Sequence, residues 1–198
     1  MSSNIFYGAS NVYATGNQAG LYPAESIDTE QDMREFKQML GAVERYIYNN
    51  GSMLFDEQEA RLNNENEDII QIGLAYNEMY IDEQLGNFEK VNRRKIAVIS
   101  GLTHYGNWCG EGNNGEDPID ILDAQCKKHD LCYEQKGMWN DSCDVDLVYN
   151  IVRNFRAINK IGWHARTYAV AAVVIFAGKV GGTERLKLSY PELAPYLP

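Results

Sequence analysis

The stretch CKKHDLCYEQ, Cys126 to Gln135, decides how the rest of the chain is read. At about 100° per residue, His129, Asp130 and Tyr133 fall at about −60°, +40° and −20° from Cys126, so one helical face carries all four side chains. That face is a candidate site. Cys132 lies about 120° from Cys126 on the same wheel, too far round for both thiols to meet one partner. Cys126, His129 and Cys132 also spell CxxHxxC, which suggests zinc. Their spacing spreads them around the helix instead of converging them, and the chain has no close CxxC pair, so zinc is disfavoured.

Upstream lies YGNWCGEGNNG, Tyr105 to Gly115, in which four of eleven residues are glycine. Such a loop can turn its carbonyls toward a common point and cage a hard cation. Downstream, SCDVDLVYNIVRNF puts Asp144, Leu147, Val148, Ile151 and Phe155 on one helical face. A carboxylate at the head of an apolar stripe is directed toward the core, and there it needs a partner.

Taken in order, YGxxCGxG, PxDxxD, CxxHDxCY and CD resemble the secreted, calcium-dependent phospholipase A2 family over Tyr105 to Ile151. The resemblance implies hydrolysis of the sn-2 ester of glycerophospholipids by histidine-activated water. In that reading His129 is the base, Asp144 holds it, and Tyr133 supports Asp144. Calcium is bound by Asp130 and by the carbonyls of Trp108, Gly110 and Gly112. The resemblance also implies two disulfides, Cys109 with Cys126 and Cys132 with Cys143, and hence an oxidising, secreted or extracellular location. Three departures stand out: Gln125 occupies a position that is often cysteine, the loop before Pro118 is one residue longer, and most further bridges are missing. The alternative function is a catalytically silent module of the same fold that binds a lipid or receptor. No GxSxG occurs, so no serine nucleophile elbow is expected.

The implied fold is mainly α: two antiparallel, disulfide-linked helices preceded by a calcium loop, with additional N-terminal and C-terminal helices. Residues 1–94 read as a helical extension with a flexible arm, 95–160 as the catalytic core, and 161–198 as a C-terminal helix and tail. Met1 to Ala24 lacks periodicity. A helix is expected over Asp28 to Ile47, where Met33, Phe36, Leu40, Val43 and Ile47 form one stripe. Another is expected over Glu57 to Glu83, interrupted near Asn63, Asn64 and Asn66, and another over Phe88 to Leu102. NNENED at Asn63 to Asp68 lacks the glycine and terminal glutamate of an EF-hand. Pro118 should open the main helix, which Gly137 should stop. The next helix, capped by Asn140 or Asp141, should reach Lys160. The segment TYAVAAVVIFAG predicts a buried helix, with a lipid-facing rim of Trp163, Tyr168 and Phe176 as the alternative.

A chain of 198 residues with 44% hydrophobic content can bury one substantial core. A formal charge of −10 argues against nucleic acid as a partner and suits a peripheral, zwitterionic phospholipid surface better than an anionic one. The first thirty residues show no basic and apolar leader pattern. The stripe on the first helix must be covered by the core, by a partner or by self-association. His104 and His164 match no motif and read as structural, and Asp120 and Asp146 also read as structural.

Overall fold

The computed structural model describes residues 30–47, 53–84, 103–110 and 113–198. The arm Met1 to Ala24, the helix expected over Phe88 to Leu102, and Gly112 lie outside the described residues. The described chain is mainly α-helical, and its one extended pairing is a bridge between Tyr105 and Cys109.

Helix α1, Glu30–Ile47, buries Phe36, Leu40, Val43 and Ile47, with Met33 packed at the edge of the same core. Phe36 meets Phe155 with ring centroids 4.4 Å apart. The amphipathic stripe is thus covered within the chain itself. Helix α2, Glu57–Leu62, starts where Asp56 Oδ1 accepts the Glu59 amide at 3.0 Å. The asparagine cluster then breaks the helix, with Asn64 at a φ of 53°, and Asn66 caps the next turn by accepting the Asp68 amide at 2.8 Å. These short polar side chains offer the backbone local partners, which is why they punctuate helices.

Helix α3, Glu67–Gln84, buries Ile69, Ile70, Ile72, Ala75 and Tyr76 and packs along helix α7, Trp163–Lys179. Helix α7 is the centre of the molecule. Residues from Tyr168 to Ile175 are buried on every side, which is what an all-round apolar helix requires. Arg166 of α7 pairs with Asp68 of α3 at 2.7 Å.

Helices α4, Ile121–Lys136, and α5, Asp141–Arg153, form a hairpin closed by Gly137 at a φ of 96° and capped by Asn140, whose Oδ1 accepts the Ser142 amide at 3.1 Å. Disulfides Cys109–Cys126 and Cys132–Cys143 fasten the loop to α4 and α4 to α5, across 17 and 11 residues of sequence. With every thiol consumed, zinc ligation by these cysteines is excluded. In the loop-entropy account each bridge stabilises by about 3 kcal/mol, and both imply an oxidising compartment.

Two boundaries differ from expectation. Pro118 does not open α4, because Asp120 outcompetes it as cap: its Oδ1 accepts the amides of Leu122 and Asp123 at 2.9 and 3.1 Å. Helix α5 stops at Arg153 instead of reaching Lys160, because Asn154 turns its side-chain amide back onto the Asn150 carbonyl at 2.7 Å. A separate helix α6, Phe155–Ile161, follows, then α7 and α8, Thr183–Ser189.

Candidate active site

The loop before α4 is organised by one carboxylate. Asp123, in the first turn of α4, is fully buried, and its Oδ1 accepts the Trp108 amide at 2.8 Å. Its Oδ2 accepts the amides of Asn107 and Ile119 at 2.9 and 3.0 Å. Three backbone donors to one ionised group stabilise a buried charge without a cation. Gly106, at a φ of 63°, lets the backbone come this close: a Cβ there would lie 2.3 Å from the Asp123 carboxyl carbon. In the sequence Asp123 is only the last residue of PxDxxD. Its contacts reach 15 and 16 residues back along the chain, and no helical period reveals them.

The same loop is closed by mutual amide bonds between Tyr105 and Cys109, of 3.0 and 3.1 Å, and by the Trp108 indole donating to the Glu116 carbonyl at 2.6 Å. Asp120, taken as structural, caps α4 and also accepts from the Tyr105 hydroxyl. Burial, and then Asp120, push the Tyr105 phenol upward. His164 packs edge-on against Tyr105, and His104 Nδ1 lies 2.9 Å from Thr103 Oγ1. Neither histidine lines the cavity that His129 faces.

On α4, His129 and Asp130 project from one face toward a cavity of about 570 Å³. Cys126 and Tyr133 share its wall, as the wheel predicts. His129 Nε2 lies 2.8 Å from Asp144 Oδ1 of α5, both groups being buried. The Tyr133 hydroxyl donates to the same Asp144 oxygen. An ionised carboxylate only accepts, so the proton sits on Nε2 and Nδ1 keeps a free lone pair. The imidazole is wedged between the Tyr133 ring, 4.2 Å away, and Phe176 of α7, 4.8 Å away. Phe176 is therefore neither pure core nor pure rim. It is half-buried and holds the base in place, while Tyr168 is buried and Trp163 stays exposed.

Asp130 lines the cavity beside Gly110, and Asn113 Nδ2 donates to its Oδ2 at 3.2 Å. Burial raises its pKa above the ordinary 3.8, against the lowering pull of Asn113 and His129. Among the described residues no cluster of three or more His, Cys, Asp or Glu side chains could hold a metal, so any cation here would rely on backbone and amide oxygens besides Asp130. At Gly110 the φ is 102°, and a Cβ would lie 2.4 Å from the Thr103 carbonyl oxygen, so this turn admits glycine alone.

Several curated proteins are similar to part of this chain. Probable phospholipase A2 homolog 1 of Oryza sativa subsp. japonica is 35% identical over 78 residues, covering 37% of this chain and 56% of that protein. Phospholipase A2-beta of Arabidopsis thaliana is 55% identical over 59 residues, covering 28% and 40%. The core segment is similar to phospholipases A2. Phospholipase A2 AP-PLA2-I of Acanthaster planci is 41% identical over 51 residues, covering 23% of this chain and 31% of its own length. The chain thus spans little more than half, or less, of the phospholipases A2 it matches. No family model and no solved structure matches it.

Proposed function

We propose that the chain hydrolyses the sn-2 ester of glycerophospholipids with water activated by His129, releasing a fatty acid and a lysophospholipid in a calcium-dependent reaction. The observation that carries this is the buried His129–Asp144 pair opening onto an apolar cavity beside the half-buried Asp130. As the water oxygen bonds to the ester carbonyl carbon, Nδ1 takes one water proton. Asp144 stabilises the resulting imidazolium through Nε2, and the same proton passes to the departing glycerol oxygen when the ester bond breaks. Tyr133 and Phe176 keep the ring in the orientation this requires. The apolar walls hold the acyl chain and exclude bulk water.

The donor chemistry fits calcium. Asp130 is a carboxylate whose ionised form burial disfavours, and the side-chain amide of Asn113 that bonds it carries an oxygen as well, the ligand type a hard cation prefers. Asp130 and the carbonyls of Trp108, Gly110 and Gly112 would hold the ion. When bound, calcium supplies positive charge for the ester oxygen as it becomes an oxyanion. The disulfides support a secreted or extracellular setting, and no described helix is long and apolar enough to cross a membrane, so the lipid would be met at its surface.

The test is fatty-acid release from phosphatidylcholine dispersions by the oxidised full chain. Release should require calcium, stop with chelator, and fall by about two to four orders of magnitude in His129→Ala. Chelator-insensitive release would refute the calcium-dependent mechanism. A folded protein that binds the dispersions with calcium and releases nothing would establish the silent binding module instead.

A further inference from the structure

The cavity is not built by the phospholipase-like segment alone. Its apolar walls include Leu147 of α5, Ala172, Ile175 and Phe176 of α7, and Met79 of α3. Among the described residues, Met79 is the one contribution from the N-terminal helices, which precede every residue used in the chemistry above. We propose that Met79 makes the N-terminal segment part of the acyl-chain site and sets which chain lengths the cavity takes. The proposal deepens the reading of this cavity as an acyl-chain site and rests on it.

Two features make position 79 a wall and not a passing contact. First, α3 is fastened along its length. Asp68 pairs with Arg166 of α7 at 2.7 Å near one end. Midway, Asn77 both accepts the Phe55 amide at 2.6 Å and donates to the Phe55 carbonyl at 3.0 Å, while the Tyr76 hydroxyl donates to the Met53 carbonyl at 2.8 Å. Second, Met79 follows the buried Ile72, Ala75 and Tyr76 at helical spacing, so the packing of α3 on α7 aims it at the cavity side. Its own side chain is only partly buried and packs against the core edge.

The chemistry of the residue suits the role. Methionine is unbranched and polarizable, so it conforms to flexible apolar chains without demanding one shape. A rigid, larger side chain at that place would remove room from long chains and leave short ones untouched. Hydrophobic pockets distinguish ligands that differ by a single methylene by roughly tenfold or more.

The test uses the full, oxidised chain and a series of monomeric, single-chain alkylphosphocholines of increasing length, with affinity measured by titration calorimetry. These probes contain no sn-2 ester, so binding is read independently of hydrolysis. For the unaltered chain, affinity should rise with length. In Met79→Trp the rise should level off early, with the longest member losing about tenfold or more and the shortest unchanged. Met79→Phe, a milder change that guards against misfolding, should show a smaller loss in the same direction. Equal affinities of variant and parent across the series, or an equal loss at every length, would overturn the proposal. So would an unaltered chain that binds none of the probes. Absence of fatty-acid release with length-dependent binding intact would sink the hydrolytic reading and leave this one standing.

Discussion

Replacing Asp123 by asparagine changes a carboxylate into an amide of nearly the same shape, and the structure fixes what that must cost. Oδ1 serves the buried Trp108 amide, and Oδ2 serves those of Asn107 and Ile119. The single remaining oxygen can satisfy one side only, and the new NH₂ group then faces backbone donors on the other. A hydrogen bond to a charged group contributes about 1.5 to 3 kcal/mol net, and stranding a buried donor costs about 1 to 3 kcal/mol. Asn107 and Ile119 lie nearer the surface, where water relieves part of the loss, which leaves a destabilisation of about 3 kcal/mol. Urea unfolding with the bridges oxidised should therefore show a lower midpoint in Asp123→Asn at unchanged slope. Asp146→Asn, on an exposed carboxylate of α5, should stay within about 0.5 kcal/mol of the parent. Because Trp108 and Gly110 ride on the loop that Asp123 holds, the stabilisation conferred by added calcium should also shrink. An Asp123→Asn protein as stable as the parent, with the same calcium response, would refute this account of the loop.

Asp144→Asn should keep the fold but lower hydrolysis by about two to four orders of magnitude, because the amide no longer enforces the Nε2-protonated tautomer; a steady-state rate near that of the parent would contradict this. Tyr133→Phe should cost about 1 to 2 kcal/mol of stability and little activity, since it removes one bond to a buried carboxylate that keeps His129. Removing both members of Cys132–Cys143 should cost about 3 kcal/mol in non-reducing denaturation. Removing Cys109–Cys126 should cost as much and also weaken calcium binding, because that bridge carries the loop. Glu44 has its pKa raised above the ordinary 4.5, first by burial and against the pull of its Thr183 hydrogen bond. The folded state thus holds this proton more tightly than the unfolded one, so its contribution is fully present at low pH and is lost as pH rises through the raised value. Glu44→Gln should remove that loss, so its melting-temperature advantage over the parent should grow as pH increases above 4.5.

The site was legible because its parts are local. Cys126, His129, Asp130 and Tyr133 share one helical face, and a 3.6-residue period is enough to bring them together. The stripe of α1 and the break at Asn63 to Asn66 were legible for the same reason. What escaped was decided by contacts between distant segments. Asp123 serves amides on both sides of the loop, Phe176 reaches His129 from another helix, and Met79 joins the cavity from an N-terminal helix that no catalytic motif touches. The boundaries at Pro118 and Asn154 failed on a finer scale. In each case a side chain competing for one backbone group, Asp120 or Asn154, outweighed the general preference.

The pairing of Asp68 with Arg166 spans 98 positions of the chain, so it cannot form until helix α7 has been made. Both disulfides and the His129–Asp144 contact close within residues 109–144, so they are available while α7 is still being made. Helix α7 brings Ala172, Ile175 and Phe176, and only its docking between α3 and α5 completes the apolar walls. Domains acquire long-range contacts after local ones, because the entropy of closing the intervening chain must be met first. The disulfide-linked hairpin that orients His129 can therefore close before the apolar cavity beside it has all its walls, and the cavity is the last feature to be completed.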